Sequence, residues 1–352
     1  MGNLLREKQL ANGAVFAADG LTVPMSYGND AAAIEAVKSG VALCDRSHWG
    51  RLRVSGADRL RFLHNQTTNQ IELLQPGQGC DTVFVTSTGR TLDLVTAYIQ
   101  DDAVLLFVSP GQASVLSQWM DRYIFFADKV TIADETDTTI AFTLLGPDSA
   151  ALLARLGVEK LDATAGNHHQ VTIGNIETCL AVGSGLALPG FTLIASAEAE
   201  ATLWQQLVEA AAIPLGEQVW QQLHVEQGRP MPGAELTEDY NPLEAGLWQA
   251  VSFDKGCYIG QETIARLNTY QGVKQQLWGL HLSTLAAPGT PLTLAGQKVG
   301  VLTTCVETAA GVRGLGYVRT KAGGQGLTVA AGDATAEVVE IPFASRGYLA
   351  GQ

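Results

Sequence analysis

The sequence predicts an α+β fold with a separate C-terminal all-β portion. Three observations carry this. Between residues 29 and 227, β-like runs and helical stretches interleave without the regular βαβ repeat of a doubly wound sheet. After about Gln275 the helical pattern stops, and short β-like runs alternate with Gly and Pro turns. The chain has 352 residues, and at roughly 150 residues per domain that leaves room for two or three domains.

The elements follow in order. Residues 29–39 are Ala-rich, with Ile34 and Val37 at helical spacing and Gly40 as a C-cap, so a helix is expected there. Leu52-Arg53-Val54 alternates as a short strand, and a helix opens at Gly56-Ala57-Asp58 with Leu60, Phe62 and Leu63 on its buried side. Strands are expected over 82–86, 92–100 and 103–108, with turns at Gly89 and at Asp101-Asp102. A helix over 113–123 and a return to strand over 130–145 come next. Gly146-Pro147-Asp148-Ser149 is a helix-start signature for 150–156. Strands over 171–176, 178–182 and 191–195 precede helices over 197–211 and 214–227. His168-His169 reads as part of a polar loop, and His48 and His224 as structural histidines. The last portion carries β runs at 276–282, 291–295, 298–304, 314–318, 327–329 and 336–341, which suit a small barrel or sandwich.

Composition excludes several functions. Apolar residues make up 46% of the chain and charged residues 16%, so it is no disordered tail. The net charge of −13 opposes non-specific binding to nucleic acid or anionic membranes. No apolar run approaches the ~20 residues that span a bilayer. Residues 1–20 lack the basic start and apolar stretch of a secretory signal, so a cytoplasmic location is expected, or an organelle matrix if a transit segment was removed. The five cysteines (Cys44, Cys80, Cys179, Cys257, Cys305) are scattered, with no CxxC and no zinc spacing. A reducing compartment and no metal site are therefore expected.

The informative stretch runs from His224 to Lys274. It holds His224-Val225-Glu226-Gln227-Gly228-Arg229-Pro230, then Asn241-Pro242-Leu243-Glu244-Ala245-Gly246-Leu247, then Lys255-Gly256-Cys257-Tyr258-Ile259-Gly260-Gln261-Glu262. Many glycines in a loop let the backbone approach a ligand closely. Cys257 lies just after Lys255 and just before a helix start near Gly260-Gln261-Glu262. An ammonium and a helix N-terminus both favour thiolate, so Cys257 is either a reactive thiol or a cysteine packed in a tight turn. Glu226 is either a ligand for paired N–H donors, such as an aminopyrimidinone edge, or a surface residue at a helix C-terminus.

The string from Lys255 to Glu262 resembles the signature of the YgfZ family of tetrahydrofolate-binding proteins, which is related to the glycine-cleavage T-protein, an aminomethyltransferase. Similar segments run through the chain: Asp45-Arg46-Ser47-His48, Val54-Ser55-Gly56-Ala57-Asp58, Thr86-Ser87-Thr88-Gly89-Arg90, Leu145-Gly146-Pro147-Asp148 and Glu244-Ala245-Gly246-Leu247. The resemblance implies a T-protein-like fold of three parts around a central folate channel. These are α+β portions at 1–140 and 141–274 and a C-terminal antiparallel β-barrel at 275–352. It implies Glu226 as the residue that binds the pterin edge, and it puts Asp93 at the catalytic aspartate position. The T-protein has two adjacent aspartates there, whereas this chain has Asp93-Leu94. Lys255 and Cys257 fit the YgfZ pattern and depart from the T-protein, which makes them the catalytic candidates beside Asp93. Gln261, Glu262, Arg266 and Lys274 are the further folate-binding candidates. Arg266 and Lys274 could meet the glutamate tail, and as solvated surface charges they would need no ligand.

The function implied is that of a folate-dependent factor for assembly or repair of [4Fe–4S] enzymes, acting as a monomer. Its partners would be the iron–sulfur machinery or client enzymes, and any effect on tRNA modification would be indirect. No cysteine set here could hold a cluster alone, since about four thiolates are usual. The competing reading is a true aminomethyltransferase or other one-carbon transferase, with Asp93 orienting or deprotonating a folate nitrogen. A third is a folate-sensing module with a structural cysteine.

Overall fold

The computed structural model describes residues 3–18, 20, 22–158 and 164–350. Met1 and Gly2, at the start of the segment searched for a signal, lie outside the described residues. The chain forms two compact units, neither contiguous in sequence.

The first unit comprises Met1–Phe62, Ile71–Cys80 and Thr96–Trp220. Its larger sheet orders its strands His168–Ile173, Ile176–Val182, Gly190–Ser196, Thr139–Leu145, Ala42–Asp45, Ile213–Leu215. All neighbours are antiparallel except the last pair. Alternation puts Ile140, Phe142 and Leu144 on one face. They join Leu152 and Leu153 of the helix Ser149–Arg155 and Leu203, Trp204 and Leu207 of the helix Glu200–Glu209 in one core. Each such buried side chain stabilises by about 1.5–3 kcal/mol. In the other sheet of this unit Gly50–Ser55 lies between Ala103–Val108 and Thr131–Asp134.

Three expectations are corrected here. The strand expected over 130–145 is two strands in different sheets, Thr131–Asp134 and Thr139–Leu145. The polar turn between them is held by the Thr136 N–H on Asp134 Oδ1 (2.9 Å) and by the buried Arg51 guanidinium. Arg51 donates to Thr139 O (2.8 Å) and to Thr136 O. The helix expected over 214–227 is the strand Ile213–Leu215 followed by the helix Glu217–Gln227. Gly216 separates them because a Cβ there would meet Met25 O at 2.3 Å. His168 and His169 are not in a loop: they open a strand, paired with Ala181 and Leu180.

The second unit comprises Leu63–Gln70, Asp81–Val95 and Gln221–Gln352. Its C-terminal part is a closed antiparallel barrel in the order Gln275–Leu282, Gly311–Arg319, Gln297–Thr308, Pro291–Leu294, Thr328–Ala331, Ala334–Val339. Pairing of Gly279 with Val339 closes it, which leaves no open edge. Its core is Trp278, Leu280, Leu292, Leu302, Val318, Val329 and Val338 with smaller neighbours. A second core, with Val83, Val85, Leu94, Leu243, Leu247, Trp248, Tyr258 and Ile264, underlies the residues discussed next.

Candidate functional site

The loop that follows Ala250 is bound to the segment Leu63–Gln70 of the same unit. Thr68 Oγ1 donates to Ala250 O (2.6 Å), the Ser252 N–H to Thr68 O (3.0 Å) and the Ile259 N–H to Asn65 O (2.9 Å). Lys255 is buried within this seam. Its ammonium donates to His64 O (2.6 Å), Thr67 O (2.7 Å) and Asn69 O (2.6 Å), and it lies 4.8 Å from the Tyr258 ring centre. An ammonium has three N–H donors, and three main-chain carbonyls accept from this one. These bonds tie Lys255 to the segment Leu63–Gln70 and hold the loop that carries Cys257. Burial pushes the Tyr258 phenol up to about 12.

Cys257 is exposed on this loop, whereas Cys44 and Cys179 are buried and Cys80 and Cys305 are partly covered. Gly260 follows at φ +80 and caps the helix Gln261–Thr269. A Cβ at Gly260 would meet Thr86 O at 2.5 Å, so this turn and the hairpin turn at Gly89 require each other's bare backbone. Gln261 Nε2 donates to Gly256 O (3.4 Å), which ties the helix back to the loop.

Asp93 is fully buried on the strand Thr91–Ile99. The neighbouring carbonyl, Leu94 O, accepts from the buried Arg229 guanidinium (3.4 Å). Arg229 follows Gly228, whose φ of +79 ends the helix Glu217–Gln227, and both N–H groups return to His224 O (2.9 and 3.0 Å). Nothing but its place in the motif string marks Arg229 in the sequence, because burial of an arginine is a tertiary fact.

Glu226 is exposed in the last turn of Glu217–Gln227 and acts electrostatically on His281 of the barrel. Glu262 and Arg266 are both exposed and pair with each other (2.8 Å) across one helical turn. Lys274 is exposed and lines a cavity of about 950 Å³ with Arg90, Glu244, Arg319, Lys321 and Tyr348. Lys255 and Cys257 thus share one loop and Gln261 opens the helix that follows it, with Asp93 and Arg229 buried in the same unit.

The model of the GCVT N-terminal domain matches residues 5–255. The chain belongs to the GCVT family. A chloroplastic Arabidopsis thaliana protein whose name assigns it to the transferases is 44% identical over 327 residues, covering 92% of this chain and 76% of that protein. The aminomethyltransferase of Halalkalibacterium halodurans is 29% identical over 350 residues, 95% of each chain. The crystal structure of the glycine cleavage system aminomethyltransferase T from Bartonella henselae superposes with a TM-score of 0.85 at 20% identity, covering 98% of both chains. The expected T-protein-like fold with its C-terminal antiparallel barrel is therefore observed.

A buried carboxylate such as Asp93 is a suitable acceptor for a ligand N–H, because low dielectric strengthens such a bond.

Proposed function

We propose that this GCVT-family chain is a tetrahydrofolate-binding factor that serves assembly or repair of [4Fe–4S] enzymes through Cys257. The observation that carries the reading is the thiol itself. Of the five cysteines it is the exposed one, and it stands on a loop fixed by a buried lysine. The Lys255–Glu262 string, which is similar to the YgfZ signature, supports the same reading. Bound tetrahydrofolate would supply a one-carbon-accepting nitrogen. Asp93 would accept an N–H from it, and Arg229 would fix the strand that carries Asp93. Glu226 as a pterin ligand and Gln261, Glu262, Arg266 and Lys274 as folate contacts belong to the same proposal. A bacterial cytoplasm or an organelle matrix would suit a free thiol, and the Arabidopsis relative is chloroplastic.

Aminomethyl transfer is the second reading. It is favoured by the identity to an aminomethyltransferase over almost the full chain and by the burial of Asp93. Two assays separate the readings. In cells lacking the protein, [4Fe–4S] enzyme activity is expected to return with wild type and not with Cys257→Ser. In vitro, one-carbon release from an aminomethyl–lipoyl donor is expected to stay at background. Turnover that survives Cys257→Ser and is lost in Asp93→Asn would install the second reading instead. Calorimetry with tetrahydrofolate tests the shared premise: Asp93→Asn is expected to weaken binding at least tenfold, and Glu226→Ala less. Equal affinity of wild type and Asp93→Asn would remove Asp93 from the folate site.

A further inference from the structure

The cavity of about 950 Å³ in the second unit has a charge arrangement of which the folate reading uses only Lys274. Its polar wall is assembled from separate stretches of chain by backbone bonds. Gln275 and Arg319 are cross-strand partners at one end of the barrel, and the Thr320 N–H donates to Lys274 O (2.9 Å). Thr320 Oγ1 donates to Val273 O (2.9 Å), and the Val273 N–H donates to Tyr348 Oη (3.1 Å). Lys274, Arg319 and Lys321 are thereby anchored around one opening. Deeper in the wall Glu244 is buried, accepts from the Asn241 N–H (3.2 Å) and lies 3.7 Å from Arg90 Nη1.

Arg90 is matched by Glu244, and the exposed Asp239 is a second carboxylate in the lining, so four cations stand against two carboxylates. Among the described residues, Lys274, Arg319 and Lys321 have no carboxylate within 4.0 Å. A chain with 35 acidic and 22 basic residues has ample carboxylate to pair them. Lys274, Arg319 and Lys321 all line this cavity, and its excess of cations over carboxylates would attract an anion. The volume is that of a small-molecule pocket, about 300–1,000 Å³. Tyr348 and Leu349 supply an apolar wall, and the Glu244 carboxylate supplies an acceptor.

We propose that this cavity binds a small organic anion with two or more negative charges. The charged groups would lie on Lys274, Arg319 and Lys321, and a donor group of the ligand on Glu244. Arg319 can hold a phosphate or a carboxylate through two N–H bonds, and the lysines add point charges. The chemistry shared by polyphosphates and polycarboxylates is multivalent anionic oxygen, and two probes distinguish them.

The test is calorimetric titration of the full chain with inorganic pyrophosphate, and separately with citrate, at constant ionic strength. Saturable one-to-one binding of at least one probe is expected, and the one that binds more tightly identifies the class. The exposed-residue variants Lys274→Ala and Arg319→Ala/Lys321→Ala should weaken it at least tenfold with unchanged melting. Arg155→Ala, an exposed cation outside this cavity, should leave it unaltered. Asp93→Asn should also leave it unaltered, so that failure of the folate reading and failure of this one can be told apart. Absence of saturable binding by both probes, or equal binding by wild type and the Arg319/Lys321 variant, would overturn the proposal.

Discussion

Lys255 shows how a residue selected for its chemistry can act through geometry. Its ammonium is buried and donates to three main-chain carbonyls. Replacement by methionine keeps the length and apolar stem of the side chain and leaves three carbonyls without a donor. Each buried unsatisfied group costs about 1–3 kcal/mol, and water can reach part of this loop. A loss of about 3 kcal/mol in urea unfolding is therefore expected for Lys255→Met; a loss below 1 kcal/mol would mean that the seam is held by its main-chain bonds alone. His48 gives a second residue-scale prediction. Burial first, and then Arg46 and Arg51, push its imidazole down to about 3, even though Glu217 is 3.7 Å away. The unfolded chain binds this proton near pH 6.5 and the folded chain resists it until about pH 3. Between those values the unfolded state holds more protons, so stability falls as pH falls, by up to about 1.4 kcal/mol per unit. Asp45 beside it has the opposite sign, because burial raises its carboxyl. The difference between wild type and His48→Asn isolates the histidine: the variant's stability should fall less steeply below pH 6.5. Parallel slopes would show that His48 is protonated in the fold.

At the scale of elements, Gly260 joins a loop to a helix at a positive φ, with the Thr86 carbonyl in the space of a side chain. Gly260→Ala should cost about 2–3 kcal/mol from backbone strain and the displaced hairpin turn, read as a lower melting temperature. A loss under 0.5 kcal/mol would show that the turn adapts freely. The same scale shows which features could be read from sequence. The barrel was legible because short β-like runs separated by Gly and Pro turns fill one continuous stretch of sequence. The strand Ala334–Val339, with its alternating buried and half-covered or exposed residues, is an example. The break between Thr131–Asp134 and Thr139–Leu145 was not legible, since the Arg51 that fastens the turn comes from a distant strand. The bulge between Leu302 and Thr304 was equally hidden. It lets the hydroxyls of Thr303 and Thr304, which alternation would send to opposite faces, both reach Glu235 Oε1 at 2.6 Å. In the candidate site the Cys257 string was legible as a local pattern. The partners of Lys255 and the burial of Arg229 were not, because both depend on segments remote in sequence.

On the scale of the whole molecule, the path of the chain matters more than the list of elements. It passes between the two units at 62/63, 70/71, 80/81, 95/96 and 220/221. The strands Gly79–Val85 and Thr91–Ile99 each contribute residues to both units. A strand that unfolds in one half loses the ladder that orders its other half, and a closed barrel has no frayed edge from which to open alone. Unfolding should therefore be a single cooperative transition despite the length of the chain, which ordinarily favours intermediates. Hydrogen exchange in low urea tests this through two strands, Ala42–Asp45 in the first unit and Gln275–Leu282 in the barrel. Their slowest amides should open with the same free energy and the same dependence on urea. A barrel whose amides exchange at lower urea, while Ala42–Asp45 stays protected, would show that the barrel is an autonomous folding unit and that the crossings carry no cooperativity.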